Sequence, residues 1–126
     1  MIKLREDVDM IGYTLILPSV AVGNVGQLAV DLLISNLNLR KIGQVLNSAF
    51  IPIIGANPYD ENSPDLCTAV DLFYGADKRI VALQIRSPIT KKPTEFFKEL
   101  QTFIKERKIG KVRIAYCNNV IKILAK

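Results

Sequence analysis

Two glycines three positions apart, Gly23 and Gly26, stand between an apolar run and a helical pattern in LPSVAVGNVGQLAVDLL, residues 17–33. A turn of this kind could cradle a phosphate, because helix N-termini present free backbone N–H groups and the positive end of the helix dipole. The dinucleotide fingerprint requires three glycines at fixed spacing, however, and a P-loop requires a Lys-Ser/Thr pair; neither is present. Glycines that merely permit a tight strand-to-helix turn are the commoner source of such a pattern. Asn24 suits the N-cap, and Gln27, three residues on, completes a variant of the capping box. A second candidate is Arg86, at the C-terminal end of the apolar run VALQI, where α/β folds often place functional residues. A strand-end arginine paired with a nearby acid is the ordinary alternative.

Other chemistries are short of parts. The 126 residues include no histidine, which removes Ser-His-Asp and Cys-His arrangements and most zinc sites. The twelve carboxylates are scattered, with clusters only at Glu6-Asp7-Asp9 and Asp60-Glu61, and solvated roles are expected for both. Cys67 and Cys117 match no CxxC or zinc spacing and read as reduced buried thiols, implying a cytosolic or nuclear setting. The net charge of +5 favours acidic partners in general. In the basic stretch Lys91–Arg113 the aromatic side chains sit on an apolar helix face, and Tyr116 alone makes no stacking platform. No apolar run is long enough to cross a bilayer. The expectation is a non-enzymatic protein without cofactor or metal and with neither nucleic acid nor membrane as partner.

The elements that would position these residues alternate in type. Tyr13–Val22 reads as a buried strand that Pro18 bends or ends, and Gly26–Leu37 as a helix. Lys41–Leu46 and the run Phe50–Ile54 read as strands, the latter stopped by Gly55-Ala56-Asn57-Pro58. Leu66–Tyr74 and Lys78–Arg86 read as a hairpin joined through Gly75-Ala76-Asp77. Pro93 opens a helix on which Phe96, Phe97, Leu100, Phe103 and Ile104 form an apolar face, and Gly110 marks its end. Lys111–Cys117 reads as a strand. Asn118–Lys126 reads as a short edge strand or as the start of further structure. The hairpin rules out a purely parallel sheet. The fold class expected is α/β, a mixed sheet flanked by helices, forming the N-terminal part of a larger α/β domain.

The first helix is unusual. It is apolar almost all the way round, and its polar positions Gln27, Asp31 and Ser35 make one thin stripe. A surface helix normally shows the reverse. It must be covered on more than one side, by its own sheet or by another protein. Gly23, Asn24, Val25, Gly26, Gln27, Leu28, Leu33 and Arg86 are therefore the candidate interface or turn residues.

The wording itself is also familiar. GYTLILPSVAVGNVGQLAVDLLISNLNLRKIG, PIIGANPY and RIVALQIRSPI resemble the N-terminal part of the proteasome assembly chaperone 2 family, over about residues 12–117. The resemblance implies a noncatalytic protein that pairs with proteasome assembly chaperone 1. It further implies that the pair promotes assembly of the proteasome α-ring from its α-subunits, in cytoplasm and nucleus. Members are longer, and some of the wider family dock through a C-terminal hydrophobic-Tyr-x tail that Leu124-Ala125-Lys126 does not match. The alternative from the residues alone is a small nucleotide- or phosphate-binding α/β enzyme using the Gly23–Gln27 turn.

Overall fold

Strand and helix periodicities place apolar side chains on both faces of one sheet, and the structure covers each face with a helix. The computed structural model describes residues 1–19, 25–88 and 93–115. Its elements are β1 (Ile2–Leu4), β2 (Thr14–Pro18), α1 (Val25–Asn36), β3 (Arg40–Val45), β4 (Ile54–Ala56), β5 (Leu66–Thr68), β6 (Val70–Gly75), β7 (Ile80–Ile85), α2 (Thr94–Glu106) and β8 (Lys111–Ala115). Six strands form a sheet in the order β1-β3-β6-β7-β2-β8, while β4 and β5 pair separately. β2 runs parallel to β7 and to β8, and the remaining pairs in the main sheet are antiparallel. The mixed α/β sheet read from the sequence is thus observed.

Side-chain alternation divides the core in two. Leu15, Leu17, Leu72, Val81 and Leu83 face α2, whose Phe96, Leu100 and Phe103 close the larger cluster. Ile16, Phe73, Ala82 and Ala115 face α1, meeting Ala29, Val30, Leu33 and Ile34. Phe50 packs edge-on against Phe96, with ring centroids 4.9 Å apart, and ties the 46–53 segment to the α2 side.

Several expectations need correction. Phe50–Ile54 is not a strand: only Ile54 enters β4, and Pro52 within the run has no N–H to give a ladder. Leu66–Tyr74 breaks at Ala69 into β5 and β6, because Asp71 draws the Thr68 backbone onto its carboxylate. The hairpin connection is Ala76–Arg79, four residues and not three, with Arg79 left-handed at φ 54. Lys108, at φ 56, turns the chain out of α2; Gly110 lies beyond, where a Cβ would sit 3.2 Å from the Gly12 backbone. Phe97 is exposed, unlike the other α2 aromatics. β1 was not foreseen, since its three residues read as a charged terminus. Val20–Asn24, Ile89–Lys92 and the stretch from Tyr116 to Lys126, which includes Cys117, lie outside the described residues.

Candidate functional site

Helix α1 decides the character of the site. Gly26, Ala29, Val30, Leu33 and Ile34 face the sheet. Gly26 permits that approach: a Cβ there would lie 2.4 Å from the Ala115 carbonyl oxygen and 2.8 Å from that of Ser19. Close packing of α1 onto the ends of β2 and β8 is therefore sufficient reason for this glycine. Gly23 and Asn24 lie outside the described residues.

The polar stripe is only partly solvated, and of its three residues Ser35 alone is exposed. Gln27 and Asp31 are half-buried, turned toward β7 and the 57–68 segment. Gln84 of β7, fully buried, donates from Nε2 to the Gln27 carbonyl and to Asp31 Oδ1, each at 2.7 Å. Its own Oε1 accepts from the Ile85 N–H at 3.1 Å. Tyr59 donates its hydroxyl proton to Asp31 and accepts from Arg86 Nη2 at 2.7 Å. Burial, followed by the hydrogen bond to Asp31, pushes the Tyr59 phenol well above its ordinary range. The side-chain oxygen of Gln27 is buried without a hydrogen-bond partner among the described residues.

Arg86 continues the network inward. Its Nη1 meets Asp71 Oδ2 at 3.0 Å, and Lys41 Nζ meets Asp71 Oδ1 at 3.2 Å. The Asp71 carboxylate has no solvent exposure and also accepts from the Thr68 N–H (2.9 Å) and hydroxyl (2.5 Å). Lys41 in addition donates to the Leu66 carbonyl at 2.8 Å. Two cations, two carboxylates and three neutral polar side chains thus satisfy one another. Buried ion pairs persist only when so completed. Arg86 is accounted for as the partner of a nearby acid, and its work is to hold the β5–β6 corner and Tyr59 against the sheet.

What α1 turns outward is apolar. Leu28 is 58% exposed, Leu32 53% and Val25 37%, one stripe at spacings of three and four. Leu33, expected as a companion of Leu28, is a core residue at 5%. The helix departs from an ordinary surface helix in this: its inner face is apolar as usual, but part of its outer face is apolar too, with a half-buried polar flank between them. Along the sheet, β8 adds Val112 and Ile114, also exposed. A separate cleft of about 890 Å³ lies between β4–β5 and β3, with Val45, Phe50, Ile53, Ile54, Leu66 and Ala69 among its walls.

Exposed apolar stripes are a general mark of protein interaction sites. The family model described as "PAC2 family" matches residues 15–117. The chain belongs to the PAC2 family. Similar curated members include proteasome assembly chaperone 2 of Xenopus tropicalis, 39% identical over 104 residues, covering 79% of this chain and 40% of that protein. The Homo sapiens protein of the same name is 40% identical over 108 residues, covering 82% and 41%. This chain therefore spans about 40% of the length of those PAC2 relatives. Among solved structures it resembles Pyrococcus furiosus PbaA, an archaeal homolog of proteasome-assembly chaperone: TM-score 0.69, 20% identity, 90% of this chain and 47% of that one. Pyrococcus furiosus PbaB, an archaeal proteasome activator, gives 0.67 at 18% identity, covering 90% and 49%. At these identities the two structures show a shared PAC2-like fold.

Sequence reasoning missed Leu32, Val112 and Ile114 as surface residues, and missed Asp71, Lys41, Tyr59 and Gln84 as a network. Leu32 follows Leu28 at i+4, a signal that was available. Gln84 inside VALQI and Asp71 inside VDLF were also visible as polar residues in apolar strands, which must find buried partners.

Proposed function

We propose that this chain is a proteasome assembly chaperone that works by binding and carries out no catalysis. On this reading it pairs with proteasome assembly chaperone 1, and the pair promotes assembly of the proteasome α-ring in cytoplasm and nucleus. Membership of the PAC2 family and the names of its relatives support the general role. The observation that carries it is the solvent-facing stripe Val25, Leu28 and Leu32 on a helix whose polar flank is already engaged. Exposed apolar surface of this kind marks protein interaction sites.

The test is co-expression with proteasome assembly chaperone 1 and α-subunits, followed by affinity capture and native mass spectrometry. The intact chain should retain chaperone 1 and α-subunits. A Leu28→Asp/Leu32→Asp variant should lose them while keeping its circular dichroism spectrum and melting temperature. Normal capture by that folded double variant, or no capture by the intact chain, would remove the basis of the proposal. Fluorescence microscopy of a tagged chain checks the compartment.

A further inference from the structure

β3 and β6 lie side by side and antiparallel, with Gln44 opposite Asp71. A hairpin loop of about two to five residues is enough to join such neighbours. The chain instead runs through residues 46–69 between them. Within this excursion β4 and β5 pair with each other and with no strand of the main sheet. Ile54 and Leu66 on these strands are exposed and add little burial. The arm formed by residues 51–68 is therefore held to the body mainly by side chains, on both faces of the sheet.

The two attachments differ in kind. On the α2 face the root is apolar and deep, with Phe50 buried against Phe96. On the α1 face the attachment is polar and narrow. Tyr59 sets its ring edge-on to Phe73, centroids 5.5 Å apart, and its hydroxyl joins Asp31 of α1 to Arg86 at the end of β7. Beside it a gap of about 250 Å³ lies between Ile34 and Ser35 of α1 and Asn57 and Asp60 of the arm. A close-packed seat leaves no gap of that size. The arm's other polar ties, Lys41 to the Leu66 carbonyl and Thr68 to Asp71, run to the same cluster that holds Arg86. Few buried apolar contacts, with the bonds gathered at one cluster, are the marks of a segment that opens at less than the global unfolding free energy.

We propose that residues 51–68 form a flap that opens as a unit about its Phe50 root, with the Tyr59 hydroxyl as its latch. Closed, the latch ties the flap to helix α1 through Asp31. Open, it frees Asp31 from Tyr59 and bares Phe73 and the Asp71 cluster, while Gln84 keeps its own bond to Asp31. Asp31 stands between Leu28 and Leu32 along α1, so the latch acts on the seating of the helix that carries the exposed stripe. The contacts that make the latch all lie within residues 31–86, and the inference does not depend on the partners proposed above.

The experiment is native-state amide hydrogen exchange on the full chain, read by NMR in water and in sub-denaturing urea. Urea promotes openings in proportion to the surface they expose. The β4 and β5 amides should be protected, yet exchange through an opening nearly indifferent to urea. Those of β6 and β7 should exchange more slowly in water and accelerate steeply as urea is added. Tyr59→Phe keeps the ring on Phe73 and deletes the latch. It should speed β4–β5 exchange by roughly tenfold or more, the loss expected for a hydrogen bond to a charged group, and leave the indifference to urea intact. In an Asp31→Ala background the same substitution should have a smaller effect, because contacts within one network are not additive. Unprotected β4–β5 amides in the intact chain would overturn the proposal, since no latch would then be closed. So would β4–β5 exchange that follows urea as steeply as β6–β7, or that Tyr59→Phe leaves unchanged. Equal effects of Tyr59→Phe with and without Asp31 would overturn the link to α1.

Discussion

The two flanks of helix α1 use the same few turns in opposite ways. On the flank toward β7, Gln27 and Asp31 meet Gln84, Tyr59 and Arg86, and almost every polar atom finds a partner. On the other, Val25, Leu28 and Leu32 stand in water. The closed flank is polar and the open one apolar, the reverse of what solvation alone would arrange. Burial of polar groups is tolerable where the groups complete one another, and exposure of leucines is tolerable where something else covers them. The closed flank contributes to folding, and the open flank carries the recognition role proposed above. Each can be perturbed separately.

The largest effect should come from the closed flank. Asp71→Ala removes the carboxylate shared by Lys41 and Arg86 and leaves two cations under cover without it. Breaking a buried pair in this way costs about 3–5 kcal/mol, measurable as a fall in urea midpoint. Retention of more than half of that stability would show that water reaches the network and that the flank is less closed than described.

Leu33→Ala and Leu28→Ala then compare the inner and outer faces of one helix. The first should cost about 2–5 kcal/mol by opening a core cavity. The second should change stability by less than about 0.5 kcal/mol. Equal losses would erase the distinction between the faces. Gly26→Ala falls between them, at about 1–3 kcal/mol, because the new methyl meets backbone oxygens of Ser19 and Ala115 that cannot rotate away.

The smallest effect concerns pH. An unfolded tyrosine ionises near 10, whereas Tyr59 in the folded chain, desolvated and bonded to Asp31, holds its proton to higher pH. The unfolded state therefore loses that proton first, and stability falls as pH rises past about 10. Tyr74, buried and bonded to Tyr13, is also pushed up, to about 12; spectrophotometric titration should therefore show late phenols, and Tyr59→Phe should remove the latest of them.

These features were not equally legible in the sequence. α2 was plain, because Phe96, Leu100 and Phe103 repeat at helical spacing and face one cluster. The β6–β7 hairpin was legible for the corresponding reason at period two, though not its four-residue turn, which depends on Arg79 adopting positive φ. α1 was recognised as a helix short of cover, yet its orientation was hidden. The residues that draw Gln27 and Asp31 inward, Tyr59, Gln84 and Arg86, lie 28 or more positions from Asp31 along the chain, and local pattern carries no such information. The segment 50–68 misled for a related reason: Asp71 and Pro52, not hydrophobic alternation, decide where strands form there.

The position of β2 has a further consequence, one of timing. It lies between β7 and β8, whose paired residues begin at Ile80 and Lys111, against Thr14 on β2. Its two ladders thus close loops of 80 − 14 = 66 and 111 − 14 = 97 residues. Pairings this distant are slow to form and carry much of the entropic barrier to folding. At synthesis rates of about 5–20 residues per second, roughly 5–20 s separate the translation of β2 from that of β8. Through that interval the apolar strand TLILP has no complete set of neighbours, and α1 cannot yet seat Gly26 against Ala115. The nascent chain is therefore most vulnerable to misassembly in its first half, and faster emergence of residues 80–115 should raise the yield of folded protein more than any change within β2 itself.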